Sequence, residues 1–164
     1  MPYAFTLHRE SIKRKFAVYV VIARASVNTK FYVGKTGDNN DGCNPLISRC
    51  GNHFSYNDVH SQVRNKLDDH EGREYTYIFE HFDDYTEDKE ARRTCIDRIN
   101  EMERWLNQVM QQLVASRPDL SLLNEYRGVG HVSARERAKR EAFRTPEAKA
   151  KLTSLIAAVR KRCG

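Results

Sequence analysis

Residues 16–37, FAVYVVIARASVNTKFYVGKTG, constrain the fold of this chain more than any other stretch. FAVYVVIA is β-branched and aromatic, RASVNT is polar, and KFYVG returns to strand composition before a Lys-Thr-Gly exit. That pattern specifies two antiparallel strands joined by a short loop. Each strand carries one tyrosine, Tyr19 and Tyr32, and Gly34 follows the second. Paired strands lie about 5 Å apart, so both phenols are expected at one patch of surface.

The elements after this hairpin follow from local signals. DNNDGCNP, residues 38–45, is rich in turn formers and reads as a loop able to carry substrate contacts. LISRCGNHF sets Arg49 and His53 four apart, on one face if the segment is helical. A short helix is expected over residues 58–67, with Asp58 as N-cap and Val59, Val63 and Leu67 in register. YTYIFEHF, residues 75–82, is a third strand, and Thr86 is the expected cap of a long helix reaching Ala115, stopped by Ser116, Arg117 and Pro118. The apolar stripe of that helix is Ile96, Ile99, Leu106, Met110 and Leu113. Glu103 falls inside the stripe, whereas Glu101 is expected to face water.

Charge divides the chain. The net charge is +6, yet residues 127–164 hold eleven lysines and arginines against three glutamates, which leaves residues 1–126 at −2. Within that tail, Ser133-x-x-Glu136 is a capping box, and Thr145-Pro146-Glu147 combines an N-cap, a proline at N1 and a first-turn acid. Each unit opens a basic helix, with Arg135, Arg137, Lys139 and Arg140 in the first and Lys149 and Lys151 in the second. Such asymmetry points to a nucleic-acid partner gripped by the tail; a solvated basic tail is the alternative. The four cysteines, Cys43, Cys50, Cys95 and Cys163, form no CxxC pair and read as free thiols. No apolar run approaches a membrane span of about 20 residues, and the first fifteen residues lack a signal-peptide core. The expectation is a cytoplasmic protein with no membrane partner.

Ala17-Val18-Tyr19 and Tyr32-Val33-Gly34 resemble the paired signature of the GIY-YIG nucleases, and Arg49, His53, a helical carboxylate and Asn124 follow in the same order. The resemblance implies a mixed α/β (α+β) domain over residues 14–126, a three-stranded antiparallel sheet flanked by helices. Residues 127–164 resemble the modular DNA-binding motifs appended to such nucleases. The implied activity is Mg²⁺- or Mn²⁺-dependent hydrolysis of double-stranded DNA by a phage, restriction or homing enzyme, leaving 5′-phosphate and 3′-hydroxyl ends. A module that keeps the fold and binds nucleic acid without cutting it is the alternative. In the implied site Glu103 is the metal ligand, since a lone carboxylate suits an ion that keeps its waters. Arg49 holds phosphate oxygens, His53 bonds the nucleophile or phosphate, and Tyr32 positions the water. Tyr19 is the general base, helped by the cation of Lys35 because a free phenol ionises only near pH 10; a metal-bound hydroxide is the competing base. Asn124 is assigned to the scaffold. One such site cuts one strand, so a duplex break needs a homodimer on DNA or two successive events.

Overall fold

The computed structural model describes residues 1–37, 42–128 and 130–164. The expected hairpin is β1 (Lys15–Arg24) and β2 (Thr29–Lys35), paired antiparallel with Tyr19 opposite Gly34 and Val21 opposite Tyr32. Two glycines allow its packing. A Cβ on Gly34 would lie 2.4 Å from the Tyr19 ring, and Gly37 combines a φ of +97° with a Phe16 ring 2.1 Å from where its Cβ would be. Both are positions where any side chain collides. Residues 38–41 of the following loop, and hence most of the contacts expected there, lie outside the described residues.

The sheet is α+β in character but differs from the expectation in having four strands, in the order β3-β1-β2-β4. β3 (Glu74–Asp84) pairs antiparallel with β1, while β4 (Leu120–Leu122) runs parallel to β2. β4 escapes sequence reading because three residues are too few to show a period-2 pattern. It is placed by the turn after the long helix, where Thr29 donates to the Asp119 carbonyl at 3.0 Å.

Two local expectations are corrected. Residues 58–67 form turns and a single 3₁₀ turn at Arg64–Lys66 in place of a helix. Asn57 caps the start of this segment, its Oδ1 accepting from the Val59 and His60 N–H groups at 2.9 Å, and Asn65 folds its amide back onto the Asn57 and Asp58 carbonyls. Side chains that satisfy the backbone in this way compete with helix formation. The long helix α2 (Lys89–Ala115) is capped by Asp88, whose Oδ1 accepts from Ala91 N–H at 2.7 Å; Thr86 instead accepts from Asp88 N–H.

Helix α1 (Leu46–Phe54) lies on one face of the sheet. On the other face Phe16, Val18, Val20, Ile22, Phe31 and Val33 pack with Ile99, Met102, Leu106 and Met110 of α2. The basic tail joins this core. It forms α3 (Ala134–Ala142) and α4 (Pro146–Cys163), both capped as expected, by Ser133 and Thr145. α4 buries Ala148, Leu152, Leu155, Ile156 and Val159 in the same apolar cluster. The segment set apart by charge is therefore packed onto the body.

Glu101 is likewise corrected: it is 1% exposed. Its carboxylate pairs with Arg104 on its own helix and with Arg144 at the α3–α4 corner, at 2.9 Å to Nε. The water-facing assignment assumed that only the sheet covers α2, whereas the tail covers a second flank. Among the described residues no helix is long and apolar enough to cross a membrane.

Leu155→Ala should lower the unfolding free energy by about 2–5 kcal/mol, the range for cavities in packed cores. Glu101→Ala, which strands two arginines, should lower it by about 3–5 kcal/mol. Urea denaturation followed by circular dichroism measures both; near-native midpoints would show that the tail is not part of the core.

Candidate functional site

Beyond the last residue of β4, the upper half of β2 is paired with β1 alone, and a cleft of about 530 Å³ opens there. The hairpin contributes Tyr19, Tyr32, Gly34 and Lys35; α1 contributes Arg49, Asn52 and His53; and α2 contributes Glu103. Residues 55–62 close the rim with Ser55, Asn57, His60 and Gln62. Six of the seven residues singled out as catalytic thus line one cleft, brought from segments far apart in sequence.

Asn124 is the seventh and stands behind the cleft. Its amide mimics a strand residue: Val33 N–H donates to Oδ1 at 3.0 Å, and Nδ2 donates to the Val33 carbonyl at 2.6 Å. The side chain extends the β4 ladder by one step and holds β2 straight between Tyr32 and Gly34. Its own carbonyl accepts from Asn107 on α2 at 2.9 Å, which ties the hairpin edge to the helix bearing Glu103.

His53 is 4% exposed and both ring nitrogens are engaged. Nε2 lies 3.1 Å from the Tyr19 hydroxyl and Nδ1 lies 2.8 Å from the Tyr77 hydroxyl. Tyr32 meets the same imidazole edge-on at 5.1 Å. Its position in α1 is fixed by its carbonyl, which accepts from the Ser61 hydroxyl at 2.6 Å. Burial, and secondarily the Arg49 charge, lowers the His53 pKa to about 4, so the ring is neutral near pH 7. An imidazole held this way reaches a bound group through Tyr19 and not directly. Burial also raises the Tyr77 hydroxyl far above the ordinary phenol value.

Lys35 and Glu103 form an ion pair at the other side of the cleft, with side chains 17% and 28% exposed. Among the described residues Glu103 is the one carboxylate lining the cleft, and no cluster of three or more His, Cys, Asp or Glu among them could cage a metal. This donor set fits a cation that keeps waters and takes further ligands from a bound anion; it does not fit a resident structural ion.

None of the tail residues singled out lines the cleft. Arg135, Arg137 and Lys149 are exposed, as is Lys139, which bridges to Asp97 of α2 at 2.6 Å. Arg140 is half-buried against Glu136, and Lys151 donates to the His81 carbonyl at 2.9 Å. Lys151 is thus part of the packing between α4 and β3.

Sequence reading missed Tyr77 and the rim. Tyr77 was legible as part of the alternation Tyr75, Tyr77, Phe79, which shares the sheet face of Tyr19; no signal marked it as polar in function. Of the rim residues, His60 and Gln62 lie on the segment read as helical, and Ser55 and Asn57 just before it. Comparison with protein-family models, curated proteins and solved structures finds no match for this chain.

The buried histidine predicts a pH dependence of stability. Unfolded His53 takes a proton near pH 6.5 and folded His53 only near pH 4, so the unfolded state binds more protons between these values. Stability is full above pH 6.5 and falls by about 3 kcal/mol as the pH drops toward 4. Urea midpoints from pH 4 to 7 should show this slope in the wild type and lose it in His53→Gln; equal slopes would remove His53 as the buried titrating group.

Proposed function

We propose that this protein is a DNA endonuclease of the GIY-YIG type, hydrolysing phosphodiester bonds with Mg²⁺ or Mn²⁺ held by Glu103. The observation that carries the reading is the convergence of Tyr19, Tyr32, Lys35, Arg49, His53 and Glu103 on one cleft. The residue types match what hydrolysis of a phosphodiester needs: a base for water, cations for the pentacovalent phosphorane, and a means to offset charge on the leaving oxygen.

Arg49 holds the non-bridging oxygens of the phosphate, where its planar fork meets two acceptors at once. Tyr19 takes a proton from the attacking water as its own hydroxyl proton moves toward His53 Nε2, and Tyr32 orients the same water. Lys35 adds positive charge beside the phosphate and limits the charge that Glu103 leaves uncompensated. A cation bound at Glu103 supplies Lewis-acid stabilisation of the leaving oxygen. The resemblance implies 5′-phosphate and 3′-hydroxyl products.

The exposed cations Arg135, Arg137, Lys139 and Lys149 are the proposed grip on double-stranded DNA. A homodimer on DNA, or two successive events, would give a duplex break. The rival reading is a nucleic-acid-binding module without catalysis, which one observation favours: Ala17 stands where the signature has its first glycine. Ala17 is 1% exposed, donates its N–H to Thr36 Oγ1 at 2.9 Å, and no non-glycine residue among those described has a positive φ. The alanine is accommodated without strain and displaces no cleft residue, which supports the catalytic reading.

Supercoiled plasmid incubated with the protein should be nicked or linearised in Mg²⁺ and left intact in EDTA. Glu103→Gln should abolish cleavage with little change in DNA affinity, and Arg49→Lys should slow turnover by about 100-fold, since it removes a transition-state donor and not the charge. Cleavage that persists in EDTA or in Glu103→Gln would refute the metal assignment; binding without any cleavage would favour the rival. The grip is tested separately. Replacing Arg135, Arg137 and Lys139 with alanine should flatten the slope of log K against log salt by about 2.7, or 0.9 for each phosphate no longer neutralised.

A further inference from the structure

Tyr77 lies outside the cleft lining, yet it is the innermost member of a hydrogen-bonded chain that ends there. On β3 it is opposite Val21 of the central strand, and its ring packs 5.8 Å from Tyr19 and 6.0 Å from His53, nearly parallel to the imidazole. Its hydroxyl lies 2.8 Å from Nδ1 of His53. A neutral imidazole carries one N–H and one lone pair. The chain therefore has two proton arrangements, and they differ in what Tyr19 encounters: a lone pair able to take its proton, or an N–H that cannot.

In the arrangement that offers Tyr19 a lone pair, Nδ1 carries the proton and the Tyr77 oxygen, at 2.8 Å, is placed to accept it. We propose that Tyr77 is a positioning residue. Its hydroxyl accepts from Nδ1–H of His53, fixes that tautomer, and turns the Nε2 lone pair toward the Tyr19 hydroxyl. This is the logic by which a buried acceptor behind a histidine sets which nitrogen faces the reacting group.

Both the choice of tautomer and its consequence for rate rest on the nuclease reading. In that reading the water proton passes to Tyr19 oxygen while the Tyr19 proton passes to Nε2. The hydroxide so formed bonds to phosphorus, the P–O bond to the leaving oxygen breaks, and that oxygen takes up a proton from solvent. The imidazolium left behind has both N–H groups directed at oxygen, Nδ1 at Tyr77 and Nε2 at Tyr19. Without Tyr77 that cation would be buried with one donor unsatisfied, beside Arg49.

The test is long-range ¹H–¹⁵N correlation spectroscopy of the full chain at pH 7, with His53 assigned by its loss in His53→Gln. The expected result is a protonated-type Nδ1 and a lone-pair-type Nε2 for His53. Tyr77→Phe keeps the ring and removes the acceptor, so the Nε2-protonated form should appear, while Tyr75→Phe on the same strand face should leave the spectrum unchanged. In Tyr77→Phe, plasmid turnover should fall by at least about tenfold with DNA affinity unaltered. An Nε2-protonated His53 in the wild type would overturn the proposal, whether or not Tyr77→Phe folds. So would a Tyr77→Phe spectrum identical to that of the wild type. The expected tautomers in a wild type that cuts no DNA would support the positioning role and dismiss the nuclease reading.

Discussion

Residues 16–23 are buried without interruption, on both faces of the central strand. A strand hidden on both sides obliges the chain to supply two covers, and the remaining architecture can be derived from that demand. Phe16, Val18, Val20 and Ile22 require an apolar layer, which α2 begins and α4 completes. Ala17, Tyr19, Val21 and Ala23 require another, supplied by α1, the segment after it and the aromatic face of β3. The tail is needed for the first cover because α2 alone is too narrow to shield four strands, and this is why a segment so basic also carries Leu152, Leu155, Ile156 and Val159 on one side.

The second cover differs because one of the side chains it hides is a phenol. A buried hydroxyl must find a partner or lose stability on the order of 1–3 kcal/mol. Tyr19 finds His53, which in turn needs a partner for its other nitrogen and finds Tyr77. The chain of polar groups is thus a packing requirement before it is a functional device. It stops at the cleft because β4 is short, and Asn124 completes the edge of β2 at Val33 while leaving Gly34 and Lys35 beside open space. A longer fourth strand would have closed over Lys35.

Much of this was legible. The hairpin, the third strand and both tail caps follow from local composition, whereas the grouping of Tyr19, Tyr32, Lys35, Arg49, His53 and Glu103 follows from what the GIY-YIG resemblance implies. What was not legible has two causes, contacts remote in sequence and local side-chain hydrogen bonds that override a periodic pattern. Glu101 reads as a solvated residue by helical phase, and Arg144, 43 residues on, joins Arg104 in making its burial tolerable. Residues 58–67 carry a helical spacing, but Asn57 and Asn65 satisfy their backbone otherwise. Charge counting separated the tail because it registers arginines and lysines, not the aliphatic face between them. Tyr77 looked like an ordinary strand aromatic because its partner is a histidine 24 residues earlier.

Two glutamates separated by a single residue on α2 connect these observations. Glu101 is directed into the tail and binds Arg144 at the α3–α4 corner; Glu103 is directed into the cleft and binds Lys35. Because a helix is stiff over a single turn, the corner that presents α3 and the carboxylate of the cleft are held in fixed relation by the same turn of backbone. Lys139 adds a second tie from α3 to Asp97, one turn earlier on α2. The exposed cations Arg135 and Arg137 therefore do not belong to a loosely tethered arm. They lie on a helix referenced to the cleft through buried charge, so on the proposed nuclease reading a DNA backbone gripped at α3 would meet the cleft in one register. That constraint, and not the amount of positive charge, is what distinguishes this tail from a basic extension that merely raises affinity.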